Sequence, residues 1–385
     1  MNPTLPIPDD DALAHSQLLT EHIQAEIAAH QGWIDFARFM HLALYAPGLG
    51  YYSGGAKKFG KAGDFVTAPE ISPLFAQTLA VQAAQVLRQT SGDILELGAG
   101  TGRLAIELLQ ELARSEQLPQ QYLILEVSAH LREVQQQRLA ESLPATLLQK
   151  VRWLNALPEN FKGLVLANEV LDALPVHLVS TSENRTLERG VAFGEQGFVW
   201  SDRPLPDTLL QPMQAGLDLP PGYLTELCPA AAGLVASLSA MLEHGVAIFI
   251  DYGFPRREYY HPQRSQGTLM CHYRHYAHDN PFLYPGLQDI TAHVDFSAIA
   301  QTALQNGLQL KGYCTQAQFL INCGITELLS RVSPHDMVAY APLAAEAQKL
   351  LSPAEMGEIF KVIAFGKGCE HPLIGFASGD KSHAL

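Results

Sequence analysis

An open, mostly parallel α/β sheet is the fold class the sequence predicts, and three observations predict it. Residues 92–104, Gly-Asp-Ile-Leu-Glu-Leu-Gly-Ala-Gly-Thr-Gly-Arg-Leu, begin as a short apolar run and turn through Gly98, Gly100 and Gly102 into the helical spacing Leu104, Ile106, Leu108, Leu109. That is a strand, a glycine turn and a helix. A second apolar run over 122–125 ends in an acid, Glu126, 24 residues beyond Gly102. Further short apolar runs at 151–154, 164–167 and 246–250 have the length and character of buried parallel strands.

The glycine turn predicts a ligand. Without side chains there, a bound group can touch the backbone N–H groups at the helix start, where partial positive charge collects. A dinucleotide fingerprint requires G-x-G-x-x-G, but the spacing here is G-x-G-x-G, with Arg103 where the third glycine would stand. Glu96 points the same way, because a carboxylate there repels a diphosphate and can pair, directly or through water, with the ammonium of an amino-acid-like ligand. E-x-G-x-G-x-G resembles the first motif of the class I methyltransferases, whose ligand is S-adenosylmethionine. Glu126 at its strand end can take both ribose hydroxyls of an adenosine; the plainer alternative is that it caps the helix near Ser128. Asn155, ending the third strand, is a candidate adenine contact.

Composition bounds the rest. With 385 residues and 47% hydrophobic content, the chain can build two domains or one domain with large insertions. The formal charge, 25 − 39 = −14, argues against a nucleic-acid partner and suits a basic peptide. No apolar run reaches membrane-spanning length, so no membrane partner is expected. The first eleven residues carry three consecutive aspartates and no basic region, unlike a secretory signal or transit peptide, and the expected location is cytoplasmic. Cys228, Cys271, Cys314, Cys323 and Cys369 form no C-x-x-C pair and are odd in number. They read as reduced and mostly buried rather than as a zinc knuckle or disulfide framework.

In chain order, 16–40 has helical apolar spacing. Two glycine and aromatic loops follow, 44–52 and 63–73, holding Tyr52, Asp64 and Thr67; their aromatic, acidic and hydroxyl groups suit a lid over the ligand, or simply a pair of surface connections. Lys57, Lys58 and Lys61 between them read as a solvated tip. A helix over 74–89 precedes the glycine turn. Past the fourth strand come Asn168, Glu169 and Asp172, in the position that lines the crevice of an open parallel sheet. If a helical turn starts at Glu169, that residue and Asp172 share a face and both reach one cation; otherwise Asn168 caps a helix and the acids are solvated. The alternation over 180–202 predicts an inserted hairpin, and 232–242 a helix before the fifth strand, which ends at Asp251.

The insertion after the fifth strand carries His261, His272, His275, His278 and His293. Their spacing invites a metal, but Pro262, Gly267, Pro281 and Pro285 interrupt the window and no H-E-x-x-H is present. No metal is expected; Tyr273, Arg274 and His275 and the run Gln288-Asp-Ile-Thr-Ala-His-Val-Asp-Phe296 shape a substrate wall or form a polar network that holds the insertion shut. The remaining runs, 308–314, 318–325, 338–351 and 360–365, resemble the antiparallel end of a methyltransferase sheet. The expected segments are 16–90 for helices and lid loops, 91–180 for the ligand-binding core, 181–225 for the inserted hairpin, 226–252 for more core, 253–300 for the insertion and 301–370 for the end of the sheet.

Taken together, Gly50-Tyr-Tyr52, Gly63-Asp-Phe-Val-Thr-Ala-Pro-Glu70, Glu96-Leu-Gly-Ala-Gly-Thr-Gly102, Asn168-Glu-Val-Leu-Asp-Ala-Leu-Pro175, Glu226-Leu-Cys-Pro229, Ile250-Asp-Tyr-Gly253, Asp289-Ile-Thr-Ala-His-Val-Asp-Phe296 and Met356-Gly-Glu-Ile-Phe-Lys-Val-Ile-Ala364 resemble the MidA family over about 23–366. Mitochondrial members of that family are complex I assembly factors that dimethylate an arginine of a complex I subunit. The resemblance implies a class I methyltransferase fold, a Rossmann-like seven-stranded sheet with a helical N-terminal region and inserted substrate-side segments. It also implies S-adenosylmethionine as cofactor and a protein arginine as acceptor. Ala99, where a proline is frequent, and Val170-Leu171, where aromatics are common, depart from the pattern; the second touches the substrate pocket. Nothing here resembles a transit peptide, which fits a bacterial relative.

The chemistry follows from the acceptor. A guanidinium is a poor nucleophile with a pKa above about 12, and carboxylates that bind two of its nitrogens localise charge and leave the third with a usable lone pair. Glu169 and Asp172 are the candidate carboxylates, and His293 or Asp251 the candidate proton acceptor. The same donor site would serve a small-molecule methyltransferase, or an assembly factor that binds the donor without turnover; an NAD-dependent oxidoreductase is disfavoured by the glycine spacing. Open α/β enzymes with exposed insertions often form a homodimer, although no stripe in the sequence marks a dimer face.

Overall fold

The computed structural model describes residues 5–54, 67–183, 185–209 and 219–385. The chain forms two compact units, one of Met1–Phe65, Asp172–Ala232 and Arg256–His293, the other of Val66–Leu171, Gly233–Pro255 and Val294–Leu385. Each unit is thus assembled from three separated stretches rather than from consecutive segments.

The second unit holds the sheet that the apolar runs announce. Its strands are β1 (Asp93–Leu97), β2 (Tyr122–Leu125), β3 (Val151–Leu154), β4 (Phe161–Asn168), β5 (Leu242–Phe254), β6 (Gln309–Thr315) and β7 (Phe360–Lys367). Their order across the sheet is β3-β2-β1-β4-β5-β7-β6. The first five run parallel, and β7 is antiparallel to both β5 and β6. An eighth, two-residue strand, Val294–Asp295, pairs with the end of β5, so the seven expected strands gain a short supplement. Leu95 registers with Leu123 on one side and Val165 on the other. Such centrally placed strands are covered on both faces, which is why their sequences are continuous apolar runs rather than alternating ones. The order reverses between β1 and β4, and the crevice outside the carboxyl ends of those strands is where open α/β sheets bind ligands.

Helices pack on this sheet. α1 (Pro73–Thr90) starts after Ser72, whose hydroxyl accepts from Leu74 N, and has proline in its first turn. α2 (Arg103–Arg114) leaves the glycine turn, and α3 (Ala129–Ser142) is capped by Ser128. Leu79, Ala83, Leu108, Ile124, Leu164 and Ile248 belong to one buried core.

The other unit is built on antiparallel pairing. Thr186–Gly194 is its central strand, bonded to Ile34–Asp35, His177–Thr181 and Gly197–Pro204, while Leu224–Leu227 joins His177–Thr181. The expected hairpin is the Thr186–Gly194 and Gly197–Pro204 pair, in a sheet of its own rather than in the parallel sheet. The insertion contains a three-stranded sheet ordered Tyr276–His278, Met270–Tyr273, Asp289–Thr291. His272 and His278 lie on its hairpin, with Arg274 and His275 in left-handed backbone at the turn, so their three-residue spacing is hairpin geometry.

The helical stretch expected over 16–40 is two helices, Asp10–Ala29 and Phe36–Tyr45. The first starts earlier because Asp9 caps it, accepting from Ala12 N at 2.9 Å. The break falls where Gln31 and Gly32 take φ of 59° and 78°; apolar residues on both sides keep a helical phase that hides it. Among the described residues no helix is long and apolar enough to cross a membrane. The five cysteines are free and all but Cys228 are buried. Because Ile248 is fully buried in mid-strand, Ile248→Ala should cost about 3 kcal/mol, measurable as a lowered urea midpoint at unchanged slope.

Candidate active site at the glycine turn

The site begins where β1 stops. Gly98 N donates to Leu125 O at 3.0 Å, carrying the parallel ladder one residue past the strand, and the chain then turns with φ of 60°, 53° and 83° at Gly98, Gly100 and Gly102. The last two glycines serve different ends. A Cβ on Gly102 would lie 2.6 Å from Leu139 Cδ1, so this glycine lets α3 pack against the turn, whereas a Cβ on Gly100 would meet nothing within 4 Å among the described residues. Gly100 therefore keeps a space clear. α2 begins at Gly102 without a side-chain cap, leaving its first-turn amides for a ligand.

Glu96 is 2% exposed, and Tyr122 Oη donates to its Oε2 at 2.7 Å. Burial pushes its carboxyl up to about 7, against the pull of the Tyr122 hydrogen bond. Glu126 stands at the end of β2; its Oε1 accepts from Ser128 N at 2.9 Å and its Oε2 from Gln135 Nε2 at 2.9 Å. Burial raises this carboxyl too. Glu126 thus supports the chain entering α3, as the capping alternative held, while standing beside the turn through their common partner. That partner, Gln135, was not anticipated. Its Nε2 also donates to Gly100 O at 2.9 Å and its Oε1 accepts from Trp153 Nε1 at 2.9 Å. A signal existed: Leu131, Gln135 and Leu139 form the buried stripe of α3, and a glutamine in such a stripe needs partners. Val127, 79% exposed beside Glu126, was also missed and offers an apolar surface to a base.

Asn155 is exposed and accepts from Arg132 Nη1 at 2.7 Å. Thr67 precedes the short helix Ala68–Ile71, its carbonyl accepting from Glu70 N and its hydroxyl making no cap bond. Asp64, with Lys57, Lys58 and Lys61, lies outside the described residues. Tyr52 belongs to the other unit, where its hydroxyl donates to Asp289 Oδ1 at 3.0 Å and its ring stacks on Tyr45.

Beyond β4 the expected helical turn is absent. Glu169 adopts left-handed backbone, φ 53°, and its N donates to Ile250 O at 2.8 Å. Leu171 N donates to Asp251 Oδ2 at 2.9 Å, while Asp251 Oδ1 accepts from Tyr252 N at 2.9 Å. Asp251, read from the sequence as a proton acceptor, is 1% exposed and holds backbone with both oxygens; those bonds pull the segment away from a helix. Asn168 Nδ2 donates to Glu169 Oε1 at 3.0 Å, and Asn168 Oδ1 is buried with no hydrogen-bond partner among the described residues. Val170 Cγ2 would lie 3.3 Å from a Cβ at Gly98, so this segment abuts the turn.

Asp172 and His293 are in the other unit, which Glu169 is not. There Asp172 is 5% exposed, its carbonyl accepts from Ala292 N at 3.0 Å, and His293 N donates to Thr268 Oγ1 at 3.0 Å. A polar network in this unit centres on Glu226, outside the residues from which one was expected. Glu226, buried, accepts from Thr268 N, Thr268 Oγ1, Leu269 N and Tyr259 Oη. Asp35, His177 and Glu188 bring ligand atoms within 4.8 Å of one another, but Asp35 caps a helix and His177 Nδ1 pairs with Glu188 Oε1 at 2.6 Å.

A seven-strand α/β sheet with a cleared glycine turn, a buried acid before it and a second acid ending the next strand defines a nucleoside-binding transferase of the methyltransferase class. The model of a family described as S-adenosyl-L-methionine-dependent methyltransferases matches residues 78–314, more than half of the chain, and the chain belongs to that family. A crystal structure from Burkholderia thailandensis bound to S-adenosyl-homocysteine is similar to it, with 52% identity, a TM-score of 0.96, and coverage of 99% of this chain and 100% of that one. The chain is also similar to "Protein arginine methyltransferase NDUFAF7, mitochondrial" of Danio rerio (29% identity, 89% of this chain, 85% of the relative) and to its Drosophila melanogaster homologue (28%, 93% and 88%). The cofactor is S-adenosylmethionine, and the residues fit it: an uncapped helix start for a carboxylate, a space that a Cβ at Gly100 would fill, and acids on both neighbouring strands.

Gly100→Val should fold, with a strain cost of about 1–2 kcal/mol from its positive φ, yet lose donor binding by calorimetry. The acid Glu96 adds a pH dependence. Raised to about 7, it is neutral below that pH and charged above it, and an ammonium ligand pairs with the charged form. Donor affinity should therefore rise about tenfold from pH 6 to pH 8, a slope absent in Glu96→Gln. Stability of the ligand-free protein runs the other way, falling as pH rises from about 4.5 to about 7 and levelling beyond, because in that window unfolding releases the proton that the buried carboxyl keeps.

Proposed function

We propose that this methyltransferase modifies an arginine of a partner protein, by the MidA resemblance a subunit of the respiratory complex I type. The observation that carries this reading is Glu169, a carboxylate at the carboxyl end of β4, held in left-handed backbone on a segment that abuts the glycine turn. Non-glycine residues in that conformation carry a cost of about 1–3 kcal/mol and gather at functional sites. The names of the Danio and Drosophila relatives support the arginine.

S-adenosylmethionine supplies an electrophilic methyl group when bound. The chain's contribution is to hold the acceptor and exclude water. A carboxylate at Glu169 accepts two guanidinium N–H groups side by side, draws positive charge toward those nitrogens, and leaves the third nitrogen with more lone-pair character. Asn168 Nδ2, donating to Glu169 Oε1, fixes the rotamer; Asn168 Oδ1 is a buried acceptor suited to an N–H of either ligand. Asp251 keeps Leu171 in place behind them. Asn155 and Thr67, in the same unit as the glycine turn, remain candidates for donor contact.

Arginine peptides and protein lysates offered with labelled donor test the acceptor. Glu169→Gln should abolish transfer, by at least about a hundredfold, while donor affinity stays within about twofold; unchanged turnover would remove Glu169 from the reaction.

A further inference from the structure

We infer that Glu70 is a positioning residue for the methyl donor, holding the glycine turn through the hydroxyl of Thr101. This goes beyond the arginine reading and does not depend on it. Thr101 stands between the two glycines that shape the seat. Its Oγ1 donates to Glu70 Oε1, 31 residues earlier in the chain, and Arg138 Nη1 reaches the same oxygen at 3.4 Å. The carboxylate side chain is only 12% exposed, so water competes weakly for it.

The arrangement makes physical sense around a turn of this composition. Three glycines have more backbone freedom than any other residues, and a seat built from their amides is only as good as the restraint on them. Gln135 restrains the turn at Gly100 O; Glu70 restrains it at the next residue. Arg138 follows Gln135 by one helical turn on α3, so one helix supplies a direct hold on Gly100 and the cation that steadies Glu70. Glu70 is itself well anchored. Ala68 and Pro69 before it are buried, and Ser72 after it is buried and caps α1. Donor affinity is thereby linked to a segment that precedes β1 by a whole helix.

The test is a double-substitution cycle on the full chain, with S-adenosylmethionine affinity by calorimetry and kcat at saturating donor. Glu70→Ala and Thr101→Val should each weaken donor binding about tenfold, leaving kcat within about twofold, and the pair together should weaken it no further than either alone. Glu70→Gln, which keeps an acceptor for the Thr101 hydroxyl, should recover most of the affinity. Should Glu70→Ala fail to fold, Glu70→Asp, which withdraws the carboxylate by one methylene, takes its place in the cycle. Two outcomes overturn the inference: a lowered melting temperature with donor affinity unchanged, which makes Glu70 merely structural, or effects that multiply, which makes Thr101 act on the donor without Glu70.

Discussion

Between Leu97 and Arg103 the backbone must pass through positive φ three times, at Gly98, Gly100 and Gly102, and still keep one side clear. The glycines of this turn have no side chains to brace it, and Thr101 alone offers a polar one, to Glu70. The bracing comes from outside: the ladder bond from Gly98 N to Leu125 O, and the buried amide of Gln135, which reaches Gly100, Glu126 and Trp153 with its two polar atoms. Gln135 itself is fully buried, so leaving its amide unpaired would be costly. The seat is consequently a property of β1, β2, β3 and α3 together rather than of the glycine motif alone.

How much of this was legible follows from the same physics. Parallel strands covered on both faces must be apolar along their whole length, so β1, β2, β4 and the centre of β5 stood out, and a G-x-G-x-G turn disfavours a dinucleotide by its spacing. Gln135 was obscured by its neighbours Gln136 and Gln137: three consecutive glutamines look like helix surface, and only the stripe through Leu131 and Leu139 separates the buried one. The segment after β4 failed for a different reason. Glu169 and Asp172 have helical spacing, but Asp251, eighty residues away from Leu171, captures the backbone that a helix would need. The first helix failed because two helices can share a phase across a left-handed break. In both failures a tertiary or backbone constraint overrode a local pattern.

The acids divide by what surrounds them. Glu226, Asp251 and Asp289 are buried and take hydrogen bonds from their own chain, and their presence in family-like blocks reflects construction at least as much as chemistry. Glu96 is buried with a tyrosine hydroxyl on one oxygen, and its ionisation is poised near neutrality. Glu169 sits in strained backbone with an amide neighbour. The five have similar charges in the sequence and different duties in the fold.

The antiparallel end of the sheet has a consequence for biosynthesis. β5 is thirteen residues long and buried along most of its length, and the strand that covers its outer edge, β7, lies near the C-terminus at Phe360–Lys367. A ribosome therefore finishes β5 more than a hundred residues before its neighbour emerges, and throughout that interval a long apolar strand edge stands open. Such edges recruit other chains. That exposure belongs to synthesis alone; in the finished sheet β7 seals the edge.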